Sequence, residues 1–245
     1  MKKYEFTGET KRINTINGTV TLHRIKASVA FGNIKSGDIG GWIEKKENLS
    51  HDGDAWVYGD AWVFDDAWVY GNAQVCGDAR VFGDARVFGN ARVFGNAQVY
   101  GDAWVYGDAW VYGDARVFGN AWVYGDARVF ENAQVYGDAW VFGNAQVCGD
   151  ARVCGNARVS GNAQVYGNKH VLLVGPIGSR NDYTTFFRNR SRGISVSCGC
   201  FLGEIDKFIE KVIETHGENK YASVYRAAAE LAKLQIDLSK MEEEK

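Results

Sequence analysis

From Gly53 to Tyr166 one frame of six residues, Gly-Asp/Asn-Ala-x-Val-x, runs through nineteen copies without an insertion. Ala and Val hold their places in every copy, and Gly yields only at Asp65 and Glu131. In an extended segment alternate side chains point to opposite faces, so Ala and Val share one face and the two variable positions share the other. The Gly-Asp/Asn pair supplies a corner, because these residues tolerate the left-handed backbone region of a tight turn. One hexad cannot bury its own Ala and Val. Three hexads closed into a triangular coil can, with successive coils hydrogen-bonded about 4.8 Å apart. Nineteen hexads then make six coils and a third, a prism roughly 30 Å long. Each interior Val contributes about 1.5 to 3 kcal/mol by burial.

The hexads at 47–52 and 167–172 are degenerate but keep the register. The reading is therefore mainly β, with an N-terminal cap over residues 1–46, a single-stranded parallel β-helix over 47–172, and a small α+β unit over 173–245. The helix has about six to seven triangular coils of eighteen residues. Open sheet edges invite stacking, so both flanks are expected to act as caps. Asn17-Gly18 sits between alternating segments in residues 13–22, the signal for a two-residue hairpin. Beyond the coils, 170–175 and 193–198 read as strands, joined by a polar stretch from Gly175 to Arg192 read as a connection. Within that stretch Arg180, Asn181, Asp182, Arg188 and Arg190 form a candidate recognition loop, with a plain solvated connection as the alternative. Two helices follow. The first carries Ile205, Phe208, Ile209, Val212 and Ile213 on one face and ends at Gly217. The second, from about Lys220 to Ser239, carries Tyr221, Val224, Tyr225, Ala228, Leu231 and Leu234 on one side before an acidic tail.

The order Val57-Tyr58-Gly59-Asp60-Ala61-Trp62, an aliphatic residue followed four positions later by a small one, resembles the hexapeptide-repeat, left-handed parallel β-helix superfamily. Residues 24–50 are similar to the lead-in of bacterial and prophage hexapeptide proteins labelled "putative transferase" or "polymer-forming". The resemblance covers roughly residues 1–172. It implies left-handed coils; right-handed coils, which need longer and less regular turns, are the alternative. It also brings acyl transfer into view, because enzymes of this superfamily use a histidine base at a subunit boundary, often beside a loop that breaks the coil. The coils here hold no histidine and no loop. His51 falls at one end in the inward Val slot and His170 at the other in the slot before Val171, and for both a hydrogen-bonded cap residue is the simpler reading. His23 falls in the hairpin and His216 near a helix end. Nothing in the spacing brings His216 to Cys198 or Cys200 for nucleophilic chemistry, and Cys198-Gly199-Cys200 is too isolated for a metal site. No catalytic residue, metal or cofactor is assigned.

With eighteen residues per coil, the outward slot between Ala and Val sorts into three columns. The first reads Trp56, Gln74, Arg92, Trp110, Arg128, Gln146, Gln164, and the second Trp62, Arg80, Gln98, Arg116, Gln134, Arg152. The third reads Trp68, Arg86, Trp104, Trp122, Trp140, Arg158, so four of seven repeat tryptophans share one face. Beside them the slot after Val reads Tyr70, Phe88, Tyr106, Tyr124, Phe142, Ser160. This predicts a flat aromatic face about 25 Å long. Ladders that merely stiffen the prism are the plain explanation, and the slot after Val is aromatic on all faces. The tryptophan bias toward one column points further, to a contact surface. Its candidate residues are Trp68, Arg86, Trp104, Tyr106, Trp122, Tyr124, Trp140, Phe142 and Arg158, facing a protein partner or another copy of the chain.

The net charge is −2, from 28 basic and 30 acidic residues, a balance that does not argue for nucleic acid. No apolar run reaches the roughly 20 residues that cross a bilayer, and Met1-Lys2-Lys3 does not lead into a signal-peptide core. A cytoplasmic protein with five reduced cysteines is expected. Asp corners as calcium sites or as DNA mimicry are weighed against the turn role of the Gly-Asp pair, and a flat ice-binding face lacks the Thr ranks it needs. The function expected is non-catalytic binding through the aromatic face. The resemblance to prophage proteins implies a host factor as a candidate partner that the protein would block. A self-assembling scaffold and an acyltransferase-like enzyme are the alternatives, and a small-molecule ligand is left open.

Overall fold

The computed structural model describes residues 2–16 and 18–239. Nineteen two-residue strands, from Trp56–Val57 to Gln164–Val165, are distributed over three parallel sheets. Seven lie on the first face and six on the third, while six on the second continue a sheet begun by three N-terminal strands. Partners are eighteen residues apart, as in Arg92↔Trp110, Gln98↔Arg116 and Trp104↔Trp122. Each coil hands its N–H groups to the next: Trp104 N donates to Ala121 O at 2.9 Å and Tyr106 N to Val123 O at 3.0 Å. Ala and Val line the axis, fully buried along the coils. The chain is a β-solenoid.

The corners explain the glycine. Gly101 has φ +68°, and a Cβ there would stand 3.0 Å from the backbone N of Gly119 in the next coil. Asp65 (φ 55°) and Glu131 (φ 58°) hold the same left-handed conformation with side chains, a geometry that costs roughly 1–2 kcal/mol per residue. Both use the carboxylate in return. Gly149 N donates to Glu131 Oε2 at 2.6 Å, and Gly83 N to Asp65 Oδ2 at 3.3 Å.

Because N–H groups point toward the C-terminal end, the first coil exposes carbonyls and the last exposes N–H groups, and each end needs the opposite chemistry. At the N-terminal end the caps are donors. Lys3 Nζ donates to Gly53 O (3.2 Å) and Ala55 O (2.9 Å), and Asn48 Nδ2 donates to Asp65 O (3.0 Å) and Ala67 O (2.8 Å). On the second face, backbone N–H groups of Trp42 and Glu44 reach Ala61 O and Val63 O. At the C-terminal end the caps are acceptors, one per face. Arg152 N donates to Asn168 Oδ1 (3.0 Å), Arg158 N to Thr185 Oγ1 (2.9 Å) and Tyr166 N to His170 Nδ1 (3.0 Å). The flanking hexads thus leave the register: Leu49 bridges Val69 rather than Ala67, and both 46–48 and 168–170 wind into single 3₁₀ turns that aim the capping side chains.

The N-terminal cap is an antiparallel hairpin of β1 (Tyr4–Thr15) and β2 (Gly18–Ala27), closed at Thr15↔Gly18, followed by β3 (Ile39–Ile43), whose Trp42 pairs with Trp62. The predicted Asn17-Gly18 turn falls partly outside the described residues, since Asn17 is not among them. The acidic tail lies outside them too.

The C-terminal unit is a four-stranded antiparallel sheet (Val171–Ile177, Asp182–Arg188, Ile194–Cys198, Phe201–Glu204) backed by α1 (Ile205–His216) and α2 (Lys220–Gln235). Two expectations are corrected here. The polar connection contains a strand, Asp182–Arg188, whose Thr184 and Thr185 are buried because each hydroxyl has a partner. And α2 packs through Ala222, Tyr225, Ala228, Ala229 and Ala232, leaving Val224, Leu231 and Leu234 exposed, because small side chains let the helix approach the sheet closely. Gly217 ends α1 with φ 56°, and Asn219 caps α2 by accepting from Tyr221 N and Ala222 N. No helix among the described residues is long and apolar enough to cross a membrane.

Candidate functional site: the aromatic face

Eighteen residues per coil place the side chains of one column directly above one another, which fixes their spacing near that of the strands. On the third face Trp104 and Trp122 stack with centroids 5.0 Å apart and planes 3° from parallel, and Trp122 and Trp140 follow at 5.1 Å and 4°. Beside them Tyr70, Phe88, Tyr106, Tyr124 and Phe142 form a second ladder at 4.7 to 5.0 Å. The two ladders meet edge to face, as in Tyr106–Trp122 (6.3 Å, 74°) and Tyr124–Trp140 (6.4 Å, 72°). Arginines close the stack of three tryptophans at both ends: Arg86 lies 5.0 Å from the Trp104 ring and Arg158 4.8 Å from the Trp140 ring. Burial in the stack raises the phenol pKa values of Tyr106 and Tyr124 above the ordinary range.

The stack changes what the sequence led one to expect of exposure. Trp104, Trp122 and Trp140 are half-buried, because each covers its neighbour's face and presents an edge to solvent. Of the column's tryptophans only Trp68 is exposed, at 41%. Its ring lies against Tyr70 at 4.1 Å.

The other faces differ in two ways. Their ladders after Val are the same, for example Phe82–Tyr100 at 4.8 Å and Phe94–Tyr112 at 4.8 Å, so that slot is architectural. Within the coils their tryptophans have no tryptophan neighbour. Trp110 sits between Arg92 and Arg128, and Arg80 covers Trp62. The chain also covers their N-terminal aromatics. Trp56 is 1% exposed beneath Tyr4 and Phe31, and the hairpin residues Leu22, Ile13 and Val20 close over Trp42 and Phe64. Sequence reasoning placed Trp56 outward, which is right for the backbone, but had no signal that the cap would bury it. On the third face nothing in the described chain does so for Trp68.

The predicted loop residues part company. Asp182 and Tyr183 close one end of a groove of about 360 Å³ whose walls are Trp122, Trp140, Arg158 and the corner residues Asn120, Asp138 and Asn156. Thus Asp182 joins the aromatic face. Arg180 turns to a separate cleft in the C-terminal unit, and Asn181, with φ 51°, makes the exposed turn beside it. Arg190 lies at the end of the first face, its N donating to Asn162 O. Arg188 is not a loop residue. It is 3% exposed, donates from Nη2 to Ser239 O at 3.1 Å and lies over the Tyr166 ring.

The histidines at the solenoid ends act as acceptors. His51 Nδ1 accepts from Lys3 N at 3.2 Å while the ring stacks on Tyr4, and His170 Nδ1 accepts from Tyr166 N. Burial above all, then the charges of Lys3 at His51 and of Arg188 at His170, hold both pKa values below the usual imidazole range. Each is thereby kept in the neutral form that its acceptor role needs. Burial lowers Lys3 to about 8. His216, by contrast, lines the C-terminal cleft together with Cys198 and Cys200, a juxtaposition that sequence spacing gave no reason to expect.

A search of curated proteins gave no match. The model of the YdcK beta solenoid repeat family matches residues 73–87, 85–99, 97–113, 109–125, 133–149 and 151–167, all within the coils. In its coils, then, the chain is similar to the YdcK beta solenoid repeat family, and it is a repeat β-solenoid protein.

Proposed function

We propose that this protein is a recognition module that engages a protein partner through the third face, with Trp68, Trp104, Trp122 and Trp140 as its anchors. The observation that carries this reading is that, among the described residues, only here do tryptophans stack on tryptophans, on the face whose first tryptophan, Trp68, the N-terminal cap leaves exposed. A stacked ladder closed by arginines has little side-chain freedom to lose on association, which favours binding. Trp, Tyr and Arg are the residues enriched where binding energy concentrates. The groove between the ladder and Asn120, Asp138 and Asn156 adds polar groups along one rim. The role of His51 and His170 as end caps supports recognition over catalysis. The hexad frame keeps a hexapeptide-repeat and prophage origin, and hence a blocked host factor as partner, within this proposal.

The test uses a substitution that the repeat itself supplies, since Gln occupies the tryptophan slot at 74, 98, 134, 146 and 164. Trp104→Gln/Trp122→Gln/Trp140→Gln and the control Trp110→Gln are immobilised beside the unchanged chain and exposed to lysate. A protein retained by the unchanged chain and the control, and lost by the triple variant, supports the reading. Equal retention by all three overturns it. So does light scattering that shows an oligomer dispersed by the triple variant with no other protein retained, which would make the face a self-association surface.

A further inference from the structure

The C-terminal unit holds a cleft of about 370 Å³, separate from the aromatic face and meeting it only at Asp182. This volume falls within the roughly 300–1,000 Å³ of small-molecule sites. One wall is apolar: Phe201 and Phe208 lie 5.4 Å apart, Phe208 meets Tyr225 edge to face at 5.6 Å and 87°, and Val212 continues the surface. The shape is locked from behind. The Tyr225 hydroxyl lies so close to Gly178 that a side chain there would collide with it, and Thr184 Oγ1 donates to Cys198 Sγ at 3.2 Å.

The opposite side of the cleft is cationic. Arg180 lies across the turn at Gly199 (φ +57°), where a Cβ would stand 3.0 Å from its Nη1. Among the described residues no carboxylate pairs with Arg180. The two other charged groups on the lining are engaged locally: Lys211 holds Glu214 at 2.8 Å, and Asp182 Oδ1 accepts from Tyr183 N at 2.7 Å. An unpaired guanidinium facing an aromatic pocket presents a planar donor fork, which suits a carboxylate. The thiols of Cys198 and Cys200 and the His216 ring do not make a metal site with a carboxylate, for no group of three such ligands is gathered among the described residues.

We propose that this cleft binds a small organic carboxylate with an aromatic or short aliphatic body, the body against Phe201, Phe208, Val212 and Tyr225 and the carboxylate on Arg180. The site stands independently of the aromatic face, and either can fail without the other.

The full chain, labelled with ¹⁵N, is titrated with phenylacetate, with hexanoate, and with phenylacetamide as the neutral isostere of the first. Saturable amide shifts at Gly199, Cys200, Phe201 and His216 are expected with at least one of the two carboxylates. Loss of one charge-assisted pair corresponds to about a tenfold or greater weakening, so phenylacetamide binds at least that much more weakly than phenylacetate where phenylacetate binds. Arg180→Ala, a substitution at an exposed turn, weakens the carboxylates by about the same factor, and Arg190→Ala leaves them unchanged. The proposal is overturned if neither carboxylate gives saturable shifts at millimolar concentration, if phenylacetamide binds as well as phenylacetate, or if Arg180→Ala binds like the unchanged chain.

Discussion

At the scale of single residues, the fold rests on matching donors and acceptors at places the repeat itself cannot supply. Asn48 shows this most clearly. It is fully buried, and its Nδ2 serves two carbonyls of the first coil while its Oδ1 accepts from Lys45 N at 2.9 Å. Asn48→Leu preserves the volume and removes every partner, so a loss of about 1–3 kcal/mol is expected in urea unfolding. A change below a few tenths would mean that water replaces the amide. The inward positions of Ala and Val were legible from alternation alone, and the corner glycines from their turn chemistry. The capping role of Asn48 was not, because a single Asn in a degenerate hexad looks like another corner residue. Asp65 and Glu131 stood out as departures from Gly, and the reason lies in the stacked coils: each carboxylate reaches a glycine N–H one coil on.

At the scale of elements, the two caps have opposite polarity because all solenoid strands run in one direction. Donors close one end and acceptors the other. The C-terminal cap is therefore pH-sensitive through His170, which must stay neutral at Nδ1 to accept from Tyr166 N. Its pKa in the folded chain lies below the unfolded value of about 6.5. The unfolded chain therefore binds more protons as pH falls through that value, and the stability His170 lends is complete above it and declines below it. Hydrogen exchange at the Tyr166 amide, corrected for intrinsic rate, should quicken between pH 7 and 5.5 while Tyr106 in the middle of the solenoid does not follow. In His170→Asn, which accepts without titrating, the pH dependence should vanish; its persistence would assign the effect elsewhere. Reading Asp182–Arg188 as a connection failed for a related reason. Its Thr, Asp and Arg suggest solvent, yet the two threonines are buried because the cap and the neighbouring strand give them partners. The short strand Phe201–Glu204 carried no period long enough to read.

At the scale of the whole molecule, the eighteen-residue circuit turns a linear pattern into three distinct faces, and the columns deduced from the sequence are the columns observed. The covering of some aromatics by the N-terminal cap, and the meeting of Cys198, Cys200 and His216 around one cleft, depend on contacts between distant segments and left no local trace. Because the hexads are locally equivalent, removing one should leave the solenoid intact and rotate everything after it by one face. Deletion of Gly107–Tyr112 sets Trp104 beside Arg128 and leaves Trp122 and Trp140 on another face, cutting the tryptophan ladder without altering its residues. The most direct measurement is capture of the partner by this shortened chain. The account predicts an unchanged far-UV spectrum with capture lost. A folded chain that captures as well as the original would contradict the aromatic face as the contact surface, and a chain that fails to fold would contradict the equivalence of the hexads on which the faces depend.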